Sequence, residues 1–365
     1  MKQLMSGARR RTALIGGAVV VLVAAGLGTW ATDTWPFDKD TYCWGAWKEG
    51  SGPDFLSGEA LEEDNASRTS KETAPTPGRQ RGRCTVTIHS ERVSGGGEKV
   101  VEETEVTVAY GPAPEDAAER MEWIGGYLGG RAMPLPDGLP GATDGNRALL
   151  VLPKGCDAPG GRPTAVTLDS TARSVYSDST MPAGAGLGGS QSVARLLVAV
   201  ANRGMEKAGC APAQPLEVVS PLTALPEEDE SFFTRACRIR GLDLGEEAKE
   251  LEYQVGAVTR DLQSCSVRLR RGAGRYFDAL MVAQPRLSAL FDGATGGRAP
   301  ARGWRGTGVF ADDYKVVRAD CAGRPLTALM LAPSTRETTP YFAAFANAVA
   351  RRLGCASVAP GSATR

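Results

Sequence analysis

The chain has 365 residues, and its 42 basic side chains balance 42 acidic ones. Four of the basic residues lie within the first twelve positions, so the rest of the chain carries 38 basic against 42 acidic residues, a net charge near −4. This balance leaves no basic field for nucleic acid, which is therefore excluded as a partner. The single histidine, His89, excludes zinc sites that need several histidines.

An uncharged apolar segment, Ala13–Ala31, follows the basic start. As a helix it would span roughly 28 Å, close to the ~30 Å hydrocarbon core of a bilayer and longer than the apolar region of a cleavable signal. We therefore expect a cytoplasmic tail (1–12), a transmembrane helix (13–31) and a juxtamembrane linker (32–42), with the bulk outside the plasma membrane. A cleaved signal is the alternative, because Thr29-Trp30-Ala31 fits a cleavage site.

The cysteines all lie beyond this segment, and none has a metal-ligand spacing such as CxxC. An even number of well-separated cysteines outside the cytoplasm predicts disulfides rather than free thiols. The eight are Cys43, Cys84, Cys156, Cys210, Cys237, Cys265, Cys321 and Cys355.

Similar sequence surrounds the cysteines in the two halves of the chain. Cys156 and Cys321 are each followed by Gly-Arg-Pro and an apolar strand. Cys210 and Cys355 each follow a helical segment, with Ala-Asn at the same distance before the cysteine. The repeated order predicts an internal duplication of a four-cysteine unit.

The duplication sets the predicted domain boundaries. We expect one extracellular module over 43–210 and a second over 231–357. Between them, 211–230 has the proline-rich and acidic composition of a linker. The last residues, 358–365, are expected to form a disordered tail.

The first module has a readable order of elements. Strands Cys84–Ser90 and Thr104–Tyr110 alternate in polarity, and a helix begins near Pro114. Two more strands flank Cys156, and the helix Ser192–Cys210 closes the module.

The second module is expected to repeat this order. Leu251–Val258 is predicted as an extra strand, Pro285 opens a short middle helix, and Tyr341–Cys355 closes the module. Ser67–Arg83 in the first module is expected to be an exposed loop. The predicted fold class is α+β, with an N-terminal transmembrane helix and two related modules of order β-β-α-β-β-α. Each module is expected to be a mainly antiparallel sheet with helices on one face.

The order of elements also favours particular disulfides, although four cysteines allow three connectivities in each module. A cysteine ending a central strand is well placed to meet one ending the helix that packs on that sheet. This favours Cys156–Cys210 and Cys321–Cys355, with Cys43–Cys84 and Cys237–Cys265 as the remaining pairs.

The sequence contains little that indicates catalysis. Gly184–Gly189 matches GxGxxG, but no strand directly precedes it, so a flexible loop is favoured over a dinucleotide site. His89 lies in an alternating strand and is expected at a surface or edge position. Acidic runs such as Asp312-Asp313 indicate solvated surface. No catalytic, cofactor-binding or metal-binding residue is predicted.

Two tryptophans beside a cysteine are the candidate ligand contacts. Trp44 and Trp47 flank a Gly-Ala pair next to Cys43 and are expected to be exposed, where they would stack on wall sugars. Core packing is the alternative for tryptophans in this chain, and it is favoured for Trp123, which falls in a predicted helix.

Several of these features together resemble a known group of proteins. The basic start with an apolar anchor, the segment Cys43-Trp44-Gly45 and the Gly-Cys helix ends look like uncharacterised membrane-anchored exported proteins of actinobacteria, of the Streptomyces type. More distantly, the modules are similar to extracellular domains of actinobacterial lipoproteins and receptor kinases. The resemblance implies ligand sensing or wall association and supplies no catalytic residue.

Two functions of different class follow. The favoured one is a membrane-anchored, non-enzymatic binding or sensing module of the cell envelope, whose groove between sheet and helices holds a cell-wall component, a small ligand or another envelope protein. The alternative is a wall-acting hydrolase or transferase that uses carboxylates such as Asp312 and Asp313.

Overall fold

A computed structural model gives the fold and describes residues 41–62, 65–93, 99–174, 177–182, 187–223, 225, 237, 239, 242, 244, 249–270 and 274–361. The chain is an α+β protein with two mainly antiparallel sheets and few helices. The predicted membrane segment 13–31 lies outside the described residues. Within the described ranges, no helix combines the length and apolarity that a bilayer crossing requires.

The first sheet takes its strands from the first half of the chain. Its order is β3-β4-β5-β9-β8-β7-β6, with β10 paired to β9. A separate short hairpin, β1 and β2, precedes it. The strands are β1 Thr41–Tyr42, β2 Trp47–Lys48, β3 Ser67–Thr73, β4 Gly82–Val93, β5 Lys99–Pro112, β6 Met133–Pro134, β7 Gly141–Thr143, β8 Arg147–Val151, β9 Thr164–Ser174 and β10 Ser177–Pro182.

The second sheet takes its strands from the second half, in the order β11-β12-β13-β16-β15-β14. This matches the path from β3 to β7 in the first sheet, strand for strand. The strands are β11 Leu251–Val255, β12 Leu262–Leu269, β13 Arg275–Val282, β14 Thr307–Phe310, β15 Tyr314–Cys321 and β16 Arg324–Leu331.

Four α-helices accompany the sheets in the described part of the chain. The Asp116 carboxylate caps α1 by accepting from the Glu119 N–H at 2.9 Å, and the Gln284 side chain caps α3 by accepting from the Leu287 N–H at 2.7 Å. The helices are α1 Ala117–Leu128, α2 Gly189–Ala208, α3 Pro285–Ser288 and α4 Thr339–Arg352.

The two helices of each half lie on opposite faces of their sheet, so the predicted placement of helices on one face is wrong. In β8, Leu150 packs in the core beneath α2, whereas Leu149 packs in the core beneath α1. The second sheet is buried on both faces in the same way, because β13 and β16 carry nearly continuous apolar runs.

The first helix of each half, α1 or α3, is called its middle helix. These two helices and the facing sides of both sheets build one shared core. Met121 and Ile124 of α1 pack with Leu149 of the first sheet and with Leu280 and Leu329 of the second. Residues 41–365 accordingly form one compact unit rather than two separable ones.

Two arginines join the halves reciprocally. Arg120 of α1 is buried and donates to the backbone oxygens of Pro114 (2.6 Å), Glu115 (3.1 Å) and Asp292 (2.9 Å). Arg286 of α3 donates to the Leu152 carbonyl oxygen at 2.7 Å and pairs with Asp157. Each therefore anchors a middle helix to the opposite half of the molecule.

Three segments differ from the sequence prediction. Ser67–Thr73, expected in a loop, is strand β3, because its alternating side chains pair with β4 along their whole length. Val358 and Ala359, expected in a disordered tail, are buried, since the Asn347 side chain accepts both their N–H groups at 2.9 Å. The predicted linker docks on the first half through Leu216, which exchanges two hydrogen bonds with Asn202.

Candidate functional site

A groove lies between α1 and the first sheet. Its volume is about 580 Å³. We call it the α1 groove. Its lining residues are Arg81, Gly82, Arg83, Ala109, Tyr110, Gly111, Pro112, Pro114, Glu115, Glu119, Trp123, Arg162, Ala165 and Thr167.

Helical periodicity gives one wall of the groove. Residues three or four apart share a helix face, so Glu119, Trp123 and Tyr127 form a stripe along α1. Glu119 and Trp123 line the groove, and Tyr127 continues the stripe to Asp169 of β9, whose carboxylate accepts a hydrogen bond from the Tyr127 hydroxyl group. The adjoining stripe of α1, which contains Met121, packs in the shared core.

Strand alternation gives the floor. On β4 and β5, Cys84 and Val108 point into the core beneath α2, so their neighbours Arg83 and Ala109 point to the other face. Thr167 of β9 is the register partner of Ala109 and extends this floor. The floor therefore lies on the sheet face opposite α2, at the edge of the shared core, to which Ala165 of the groove belongs.

The basic side chains of the groove outnumber its acidic ones, three to two. Arg162 pairs with Glu115 at 3.3 Å. Arg81 and Arg83 are exposed, and neither forms an ion pair within the residues that the structure describes. The charge of Arg83 reaches Asp169 and lowers the pKa of that carboxyl, but both guanidinium groups are exposed and present donors arranged to bind a carboxylate or phosphate.

A half-buried carboxyl, that of Asp169, lies beside the groove, two residues beyond Thr167 on β9. Burial raises the pKa of Asp169, whereas the hydrogen bond from Tyr127 and the charge of Arg147, 3.4 Å away, lower it. Burial and the neighbouring Asp169 charge raise the pKa of the Tyr127 phenol. This pair ties the far end of α1 to the floor of the groove.

Trp44 and Trp47 are not exposed, contrary to the expectation from sequence. Their exposed fractions are 8% and 2%. Positive φ angles at Cys43 (51°) and Trp44 (65°) turn the loop inward, and the Trp47 indole N–H donates to the Leu196 carbonyl oxygen at 3.1 Å. Both tryptophans are therefore core residues rather than surface ligand contacts.

Trp44 nevertheless contacts two residues that line the groove, Tyr110 and Gly82. Its indole packs edge-on against Tyr110, with ring centroids 6.4 Å apart. A Cβ added at Gly82 would lie 2.9 Å from the Trp44 ring, closer than real contacts allow. Only glycine lets the β4 backbone lie this close to the indole at the edge of the groove.

The four predicted disulfides are confirmed. The structure contains Cys43–Cys84, Cys156–Cys210, Cys237–Cys265 and Cys321–Cys355. Cys84 and Cys265 lie on β4 and β12, the strands that occupy the same place in the two sheets. The bridges therefore have a structural role at equivalent positions.

The other residues considered from sequence lie away from the groove. His89 is partly exposed on β4, 3.3 Å from Glu103, which agrees with the predicted surface position. Asp312 and Asp313 lie in the turn between β14 and β15 and line none of the described cavities. Part of the Gly184–Gly189 segment lies outside the described residues.

Sequence reasoning missed the groove residues Arg81, Arg83 and Trp123 as a set. One available signal was the stripe Glu119-Trp123-Tyr127, which is too polar for a helix face packed in a core. Arg120 was also missed, although an arginine four residues before Ile124 on the apolar face of α1 indicates a buried anchoring role.

No protein-family model, curated protein or solved structure matches the chain. The resemblance to actinobacterial envelope proteins stays a prediction from sequence.

Proposed function

We propose that the protein is a single-pass envelope protein whose exported part is a non-enzymatic binding module, with its ligand in the α1 groove. The observation that carries this proposal is the groove itself. It is open to solvent, and it gathers an indole with two exposed guanidinium groups that form no ion pair with a described residue. Convergent polar groups around an aromatic side chain are typical of ligand sites.

Location outside the cytoplasm is supported by the four disulfides, since such bonds persist in oxidising compartments. We propose that 13–31 crosses the plasma membrane with the N-terminus in the cytoplasm, as the charge pattern favours. The ligand would then be a component of the envelope that reaches the outer surface, and a wall polymer is the first candidate.

Descent from a duplicated four-cysteine unit is also part of the proposal. It is supported by the shared strand order of the two sheets. It is also supported by matching hydrogen bonds between the Asn202 and Asn347 side chains and the segments that follow α2 and α4. In each half, this asparagine accepts a backbone N–H at 2.9 Å from the chain beyond the disulfide.

The proposal predicts saturable binding of the full chain to isolated walls of its source organism. The full chain, purified in detergent, is mixed with washed walls, and the bound fraction is measured over a range of wall amounts. Trp123→Ala, which removes the groove indole, should weaken binding. Val219→Ala, at an exposed position outside the groove, should leave it unchanged.

Two results would overturn the proposal. One is equal binding by Trp123→Ala and the unaltered chain, or no binding by either, since both would remove the groove from wall recognition. The other is time-dependent release of wall fragments by the unaltered chain, which would favour the hydrolase or transferase.

A further inference from the structure

We infer that the α1 groove recognises an anionic saccharide, a sugar carrying a carboxylate or phosphate group. This inference rests on the proposed function and names the ligand class of the same site. Three features of the groove support it: the exposed arginines Arg81 and Arg83, the indole of Trp123 and the carboxylate of Glu119.

The two arginines of the groove account for the negative charge proposed for the ligand. Arg81 and Arg83 flank Gly82 at the start of β4, and both line the groove. Neither forms an ion pair with a described residue, although the charge of Arg83 reaches Asp169 and lowers the pKa of that carboxyl, so within the described part of the chain no ion pair must break before they bind an anion. A guanidinium donates two parallel hydrogen bonds to a carboxylate or phosphate, which a neutral ligand cannot accept with the same strength.

Trp123 accounts for the ring. Its indole is half-buried, and it packs edge-on against Tyr127 with ring centroids 5.7 Å apart, which holds it in place. An indole presents a flat apolar face on which the C–H face of a sugar ring packs. A simple anion such as free phosphate would leave this surface unused.

The negative charge of Glu119 on α1 accounts for recognition of the hydroxyl groups of the sugar. Glu119 lies one helical turn before Trp123 and lines the groove. Within the described residues its carboxylate has no basic partner, and a carboxylate accepts hydrogen bonds from sugar hydroxyls. Because Glu119 is itself negatively charged, the anionic group of the bound sugar belongs on the side of Arg81 and Arg83.

Four probes separate the parts of this recognition. Tetragalacturonic acid offers rings with carboxylates, and an oligomer of N-acetylglucosamine 1-phosphate offers rings with phosphates. Chitotetraose offers neutral rings, and oligo(glycerol phosphate) offers charge without rings. Affinities for the full chain in detergent are measured by calorimetry at low and high salt.

At least one of the two anionic saccharides should bind about tenfold more tightly than chitotetraose and than oligo(glycerol phosphate), and its binding should weaken with salt. Which of these two saccharides binds identifies the anionic group as carboxylate or phosphate. The double variant Arg81→Ala/Arg83→Ala should lose about tenfold in affinity. Arg195→Ala, which removes an exposed arginine on α2, should bind as the unaltered chain does.

The contrary results are distinct. Binding of chitotetraose with equal affinity, lost in Trp123→Ala but unchanged in Arg81→Ala/Arg83→Ala, would overturn the inference and leave the groove as the ligand site. Wall binding in the earlier experiment with no affinity for either anionic saccharide would do the same. Binding of any probe that is unchanged in both groove variants would overturn the inference and the proposed function together.

Discussion

The two sheets share one strand order. The face that each sheet turns toward the other is, however, covered by packed residues to a different extent. In the second sheet, the residue before the strand cysteine is Ser264, which is buried and donates to the Gly130 carbonyl oxygen at 3.0 Å. In the first sheet, the residue before the strand cysteine is Arg83, which is exposed and lines the α1 groove. Equivalent positions are thus closed in one half and open in the other.

The difference follows from the lengths of the two middle helices. α1 has 12 residues, and with the loop after it α1 covers β12, β13 and β16 of the second sheet. α3 has 4 residues and covers much less of the first sheet. The groove therefore lies on the sheet whose facing helix is the shorter of the two.

The largest expected effect tests whether the halves share one core. Replacing Cys156 and Cys210 with alanine should lower the free energy of unfolding by about 4 kcal/mol in the chain-entropy account. Because α1 and α3 join the halves, both sheets should lose protection together in hydrogen exchange followed by mass spectrometry. Loss of protection in the first sheet alone would contradict a shared core.

Arg120 tests the anchoring of α1. Arg120→Met keeps an apolar stem but leaves the carbonyl oxygens of Pro114, Glu115 and Asp292 without their donor, and should cost about 3 kcal/mol. Denaturant unfolding measures this cost. Arg195→Met, at an exposed site on α2, serves as the control and should change stability by less than about 0.5 kcal/mol. Similar costs for both variants would show that Arg120 anchors nothing.

Neighbouring glycines of α1 test the close approach of this helix to the second sheet. A Cβ at Gly125 would overlap the Leu331 side chain, whereas a Cβ at Gly126 would meet no atom within 4 Å. Gly125→Leu should therefore destabilise the protein by about 2 kcal/mol through overpacking. Gly126→Leu should be neutral or stabilising, by up to about 1 kcal/mol, because leucine favours helix. Thermal unfolding compares the pair, and equal melting temperatures would disagree with the packing of α1.

The smallest expected effect concerns Asp169 beside the groove. Burial raises the pKa of this carboxyl. Its contribution to stability is therefore full below the ordinary aspartate pKa of about 3.9 and is lost as the pH rises through the folded value. Asp169→Asn should remove this loss, so the stability of the unaltered chain should fall relative to the variant as pH rises across that window.

A second variant reports on the cause of the shift. Tyr127→Phe removes a hydrogen bond that lowers the pKa of Asp169. The Asp169 pKa, followed by carboxyl carbon chemical shifts, should therefore rise further. A fall would mean that Tyr127 does not stabilise the ionised carboxylate.

Much of the framework could be predicted from sequence because it depends on local patterns. Alternation located β4 and β5, the apolar stripe after Pro114 located α1, and element order favoured all four disulfide pairs. The face on which each helix packs could not be predicted, because it depends on how the second sheet docks. A closer comparison of strands held a clue, since β5 alternates whereas β13 and β16 are almost continuously apolar.

The site itself could be predicted only in part. A groove between sheet and helices was expected, but its residues come from three separate segments, around Arg83, Trp123 and Arg162. No local pattern shows that Arg81 and Arg83 form no ion pair with a described residue, because pairing depends on which carboxylates the fold brings near. Trp44 and Trp47 were placed on the surface because the positive φ angles that turn them inward leave no signal in residue type.

The most direct test of the account compares the two sheets in one measurement. Hydrogen exchange of the full chain is recorded with and without soluble polymer released from walls of its source organism. We predict added protection in β4, α1 and the start of β9, which line the α1 groove, and none in β12 or β13. Protection confined to the second sheet, or no change in either, would contradict the claim that the open face of the first sheet binds the ligand.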